Sequence, residues 1–300
     1  MQVSKETTFA GHDCVKIEND VLALWVTRSV GPRIIALALE GGENIFAELP
    51  EATLLCPGIG NYYLRGGHRL WYAPEDPQRT YLPDNDPVTI SEVIRGIEVI
   101  QPEESQTGIQ KSLTITLPDQ DARVIVDHHL QNQGQRSVEL APWVITQFKP
   151  DGVAILPQMN IPVDQYGVLP NRKIVLWPYT QANSPHITWG DRYIFIHANM
   201  DNGALKIGFP NPVGWIGYAL GETLFIKIAA YHPSKSYFDL GSSSECYCSP
   251  AFLELETLGP RSVLEPGETV SHQETWMLFD QVDFTANEDV VQKLVETLEF

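Results

Sequence analysis

The feature that most constrains this chain is its rhythm of short apolar or alternating runs, each closed by glycine, proline, asparagine or aspartate. Val21–Thr27 stops at Ser29-Val30-Gly31-Pro32, and Arg33–Leu39 stops at Glu40-Gly41-Gly42-Glu43. The same beat continues through Val88–Ile94, Gly96–Ile100, Gln110–Leu117, Arg123–Gln131 and Ser137–Phe148. It then runs on through Gly152–Leu156, Lys173–Leu176, Tyr193–Ala198, Ala204–Gly208, Gly214–Leu220, Thr223–Ala229, Phe252–Thr257 and Thr269–Leu278. Strands this short, without intervening helical periods, predict antiparallel sheets packed face to face. The expected fold class is therefore all-β, an antiparallel sandwich. No composition shift marks a linker, so residues 1–300 are expected to form a single domain. The exception to the strand rhythm is the tail, where Val290, Val291, Leu294, Val295 and Leu298 recur at helical spacing. Thr285, three residues before Glu288, reads as the N-cap of that helix in a capping box.

Apolar residues make up 43% of the chain, enough for a sizeable core. Against 20 basic residues stand 38 acidic ones, a net charge of −18. That field repels phosphate backbones and anionic lipid, so neither nucleic acid nor a membrane surface is an expected partner. The opening Met1-Gln-Val-Ser-Lys-Glu-Thr lacks an apolar signal core, and the expected location is cytoplasmic. Cys14, Cys56, Cys246 and Cys248 have no metal-ligand spacing and are expected as reduced thiols. Nothing in the sequence addresses oligomeric state.

The least regular stretch is Ala47–Asp86, rich in proline and glycine, and long irregular stretches in compact domains tend to carry function. Within it, Arg65-Gly66-Gly67-His68-Arg69-Leu70-Trp71-Tyr72-Ala73-Pro74-Glu75-Asp76 gathers arginines, a histidine, aromatics and carboxylates. Arginine offers a forked donor to hydroxyls or a carboxylate, and tryptophan offers an apolar face to a sugar ring. The plain alternative is a surface loop stitched by exposed ion pairs. In Phe252-Leu253-Glu254-Leu255-Glu256-Thr257, a strand period of two puts Glu254 and Glu256 on one face, with Leu253 and Leu255 on the other. Two carboxylates spaced so raise each other's pKa, which suits a general base, although an amphipathic strand showing acids to water has the same pattern. His128 and His129 point to opposite faces of one strand and are not a ligand pair. His68 has the most functional setting of the histidines. No HExxH, GxSxG, CxxC pair or phosphate loop is present.

Taken together, these segments resemble one known superfamily. Val30-Gly-Pro-Arg-Ile-Ile-Ala-Leu-Ala-Leu-Glu-Gly-Gly-Glu-Asn-Ile45 resembles the opening hairpin of the galactose mutarotase-like (aldose 1-epimerase) superfamily. Gly66–Trp71, Phe252–Thr257, Leu264–Glu268 and His272-Gln-Glu-Thr-Trp276 follow in the family's order, so the resemblance spans about residues 15–279. It is similar to an uncharacterised branch rather than to galactose mutarotases proper. The resemblance implies a supersandwich with a carbohydrate cleft on a concave face. There a glutamate takes the anomeric hydroxyl proton while a histidine protonates the ring oxygen, with no cofactor. The family's base lies in a Leu-Glu-Thr strand similar to Leu255-Glu256-Thr257, which implies Glu256 as base and Glu254 as its neighbour. The chain departs from the family at the acid. Trp143 stands about where the catalytic histidine follows the strand, and Arg65-Gly66-Gly67 replaces an earlier His-Gly-Gly.

Two functional expectations follow. One is a cofactor-independent aldose 1-epimerase-like isomerase, with Glu256 as base, His68 as acid and Glu254 beside them. The other is a non-catalytic module that binds a carbohydrate or sugar acid. In either, Arg65, Arg69, Trp71, Glu75, Trp143, Lys227 and Glu245 are the candidate substrate-binding residues, and a small-molecule carbohydrate is the expected partner. A lyase acting on acidic sugars, held by Arg65 and Arg69, is a third reading, made less attractive by the charge of −18.

Overall fold

Nearly every run identified above becomes a strand, and all of them pair antiparallel into two sheets. The computed structural model of the chain describes residues 2–300. The larger sheet has twelve strands. Its centre, in spatial order, is Arg33–Leu39, Gly60–Ala73, Val138–Phe148, Leu253–Leu258, Ser244–Cys248 and Leu205–Phe209. The second sheet has ten strands, with Thr223–Ala229, Thr269–Phe279 and Arg123–Asn132 at its middle. This is an all-β sandwich of antiparallel sheets, as the rhythm predicts.

Alternation decides what lies between the sheets. From the larger sheet Leu70, Tyr72, Val144, Phe148, Leu253 and Leu255 enter the core, meeting Val126, Ile216, Phe225 and Trp276 from the second. The other face of the larger sheet carries a separate apolar cluster that includes Trp71, Trp143, Ile145, Phe252 and Leu258. A sheet apolar on both faces is covered on both faces. Part of that outer cover is a hairpin of Glu48–Cys56 against Gly60–Ala73.

That hairpin corrects one expectation. Ala47–Asp86 is not mainly irregular, because it holds a nine-residue and a fourteen-residue strand. The glycine pair sits inside the longer strand as a kink: Arg65, Gly66 and Gly67 have φ of 56°, 89° and 69°. Gly66 must be glycine, since a Cβ there would lie 1.8 Å from the Ala47 carbonyl oxygen. The kink lets one strand leave the sheet and fold over its outer face.

The tail helix spans Glu288–Leu298 as expected, but its cap differs. Asn287, not Thr285, accepts from the backbone N–H groups of Asp289 and Val290. Glu288 does not reach back; its carboxylate accepts from the backbone of Arg192 and Tyr193 and ties the helix to the second sheet. Among the described residues no helix is long and apolar enough to cross a membrane. All four cysteines are buried free thiols.

A polar cluster interrupts the core. His68 shares its Nε2 with His128 Nε2 at 2.8 Å, and its Nδ1 lies 2.8 Å from Thr146 Oγ1. Lys227 is 3.0 Å from Glu274, which also accepts from Thr257 and Trp276. Burial pushes His68 well below the usual imidazole value, His128 down to about 3 and His272 down to about 4. The unfolded chain protonates these groups near the ordinary 6.5, the folded chain only well below it. Their contribution to stability is therefore complete above pH 6.5 and is lost as pH falls below it, down to about 4 for His272 and about 3 for His128. Each histidine adds up to about 1.4 kcal/mol per pH unit to that slope. Urea titrations between pH 4.5 and 7 should show His272→Gln losing about that much slope; an unchanged slope would refute the assignment.

Candidate functional site

Four central strands present a grid of side chains on the outer face of the larger sheet. Cross-strand pairing sets Arg69 beside Ile145, Ile145 beside Glu256, and Glu256 beside Glu245. The next row runs Gln147, Glu254, Tyr247 and Lys206. Trp71 faces Trp143 in a third. Period two explains the set, because each of these residues is flanked along its strand by side chains that enter the core.

The grid floors a cavity of about 170 Å³. Aromatic residues make half of its lining: Trp71, Tyr81, Trp143, Tyr179, Tyr247 and Phe252. Arg69, Glu254, Lys206 and Glu75 supply the polar groups, and Leu54 and Leu64 come from the folded-over hairpin. The volume lies below the ~300 Å³ of drug-sized sites and suits one ring.

Two ion-paired centres stand in this wall. In the first, Arg69 Nη2 donates to Glu254 Oε1 at 2.9 Å, and Gln147 Nε2 donates to the same oxygen at 2.9 Å. The Arg69 guanidinium lies 4.1 Å from the Trp71 ring, with Nε and Nη1 unpartnered. Burial pushes the Glu254 carboxyl above its usual value; Arg69 draws it back and Glu256 adds to the rise. In the second centre Lys206 Nζ is 2.7 Å from Glu245 and 2.8 Å from Glu256, whose Oε2 also accepts from Trp143 Nε1 at 2.6 Å. Burial works against the Lys206 charge, yet the two carboxylates hold its pKa well above the ordinary lysine value. Burial likewise holds Glu245 well above the carboxylate range, with Lys206 opposing and Glu256 adding.

The structure thus gathers Arg69, Trp71, Glu75, Trp143, Glu245, Glu254 and Glu256 around one cavity or directly beneath it. Glu254 reaches the wall, whereas Glu256 lies fully buried under Lys206 and Trp143. His68, Arg65 and Lys227 are elsewhere. His68 is the strand neighbour of Arg69, so it points the opposite way, into the intersheet core with His128. Lys227 reaches that same core from the second sheet and is bound to Glu274. Arg65 turns aside at the kink and joins Arg33 on Asp84, with Asn85 as a further partner. No histidine lines the cavity among the described residues.

Lys206, Gln147, Tyr81, Tyr179 and Tyr247 escape the sequence reading. Lys206 alone leaves a legible trace, as the one charge in Leu205-Lys206-Ile207-Gly208-Phe209. Tyr247 reaches the cavity from a strand and Tyr81 and Tyr179 from turns, whereas Gln147 acts through its bond to Glu254, and no local pattern announces these placements. A wider groove of about 740 Å³ lies between Glu6, Asp13, Arg28 and Pro87. No aromatic side chain lines it, and its Arg28–Glu6 ion pair is exposed.

No family model and no curated protein matches the sequence. Solved structures do match the fold. A TPR-domain containing protein from Parabacteroides distasonis aligns over 92% of this chain with a TM-score of 0.62 at 15% identity, and the chain spans 49% of that protein's length. A galactose mutarotase-like protein from Lactobacillus casei aligns over 89% of this chain and 100% of its own, with a TM-score of 0.56 at 11% identity. A protein with a provisional aldose 1-epimerase assignment, from Klebsiella pneumoniae, aligns over 95% of this chain and 84% of its own, with a TM-score of 0.59 at 10% identity. Likeness at such identities is a likeness of fold, and the fold of this chain is the galactose mutarotase-like sandwich.

Proposed function

We propose that the cavity binds a single sugar ring and that the protein is an aldose 1-epimerase-like isomerase, with Glu254 as general base. The observation that supports this is a ring-sized cavity in which aromatic faces surround a paired arginine and carboxylate. Aromatic faces match the C–H faces of a pyranose, and the forked and charged donors match its hydroxyls. The role expected of Glu256 passes to Glu254 in this proposal, because Glu254 is the carboxylate at the wall. Glu254 takes the proton of the anomeric hydroxyl, and the ring C–O bond breaks as a water molecule gives a proton to the ring oxygen; the hydroxide formed takes the proton back from Glu254. The aldehyde rotates and the steps reverse. One proton is taken and one returned, so the reaction needs no cofactor.

A second reading, binding without turnover, is favoured by the absence of a histidine from the cavity wall. Proton NMR of anomer exchange over a panel of free aldoses and uronates separates the two. Binding with faster exchange supports the isomerase, and binding without it supports the module. No binding at all removes both. Trp71→Ala should weaken the sugar about tenfold, roughly 1.4 kcal/mol for one lost stacking face. An unchanged dissociation constant would place the ring elsewhere.

A further inference from the structure

We propose that Lys206 is the fixed hydrogen-bond donor to one sugar oxygen in the cavity, and that Glu245 and Glu256 are the positioning residues that aim it. This rests on the carbohydrate reading above and goes beyond it by assigning a residue that neither motif nor resemblance marks.

Leu205 and Ile207 enter the core, so Lys206 between them is forced to the outer face. Its ammonium meets Glu245 at 2.7 Å and Glu256 at 2.8 Å. The Trp143 and Trp177 rings stand 4.8 and 4.7 Å from it. An ammonium has three N–H donors. One is given to Glu256, Glu245 pairs with the charge at 2.7 Å, no further acceptor is present among the described residues, and the side chain lines the cavity. A donor is therefore left for a ligand.

Two carboxylates exceed what one ammonium needs for charge balance, and burying the second is costly. What the second adds is direction. Held between Glu245, Glu256 and two indole rings, the side chain loses the swing of an ordinary surface lysine. Trp143 fixes Glu256 from its other side through the 2.6 Å bond. The clamp thus pre-organises a charged donor whose own side chain is buried at the cavity wall. It donates a hydrogen bond and keeps its proton. Glu245, Glu256, Glu254, Asp239, Tyr81 and Tyr179 all act on this ammonium, and Glu75 lines the same cavity. Lys206 stays charged through neutral pH because the two bound carboxylates outweigh burial.

The test is a cycle between protein and ligand. Binding of D-glucose and D-galactose, and of their 2-, 3-, 4- and 6-deoxy derivatives, is measured for wild type, Lys206→Met and Glu245→Gln. Lys206→Met should weaken the parent sugar about ten- to hundredfold, the range for a charged hydrogen bond. One deoxy sugar, lacking the oxygen that Lys206 meets, should bind wild type and variant alike. Glu245→Gln keeps the ammonium on Glu256 and should show the same pattern with a smaller loss; it carries the test if Lys206→Met fails to fold. Equal losses across all deoxy sugars in both variants would overturn the assignment. If wild type binds none of the sugars, the carbohydrate reading itself fails; if it binds and the cycle is additive, only the role of Lys206 fails.

Discussion

Glu254→Gln should slow anomer exchange by about 10²–10⁴-fold while leaving sugar affinity within about tenfold. Glutamine keeps an oxygen for the bonds from Arg69 and Gln147, so the wall of the cavity stays in place. It puts an amide nitrogen, which has no basic lone pair, where the other carboxylate oxygen stood. Recognition survives and proton removal does not. Glu256→Gln makes the contrast. That residue holds Lys206 and Trp143, so its loss should lower affinity and rate together. Exchange that persists in Glu254→Gln and vanishes in Glu256→Gln at constant affinity would return the base to Glu256.

The second large effect lies outside the cavity. Glu274→Ala should destabilise the protein by about 3–5 kcal/mol, the usual result of stranding one member of a buried ion pair. Lys227 has no exposed surface, and its remaining bond is to the Leu255 carbonyl at 3.1 Å. Thr257 and Trp276 lose their acceptor in the same change. Adding Lys227→Met removes the stranded charge and should recover a good part of the loss. Urea unfolding of both variants reads this directly, and a single-variant cost under about 1 kcal/mol would rule out an interior ion pair.

These two results mark what was legible in the sequence. The sandwich was legible because punctuation and alternation are local. The Glu254/Glu256 face was legible for the same reason. Histidine 68 shows the limit. The parity that parts His128 from His129 also parts His68 from Arg69, so one strand cannot send both to one cavity. What hid this was the glycine pair, which suggests a loop, where neighbours can converge. In the folded chain the kink ends at Gly67, and strict alternation resumes from His68 to Ala73. Lys206 shows a different limit. Its meaning depends on Glu245 and Glu256 lying one and two strands away, in a spatial order that departs from chain order. The helix cap went to Asn287 because Glu288 found partners on another element.

The alternation along Leu253–Leu258 has a further consequence. Odd positions there hold the sandwich together, and even positions furnish the chamber. Adhesion and recognition are thus written in separate letters of one short text. A tolerance scan along the strand would alternate, with Leu253 and Leu255 refusing polarity and Glu254 between them admitting it. Such a scaffold can change its guest without renegotiating its foundations.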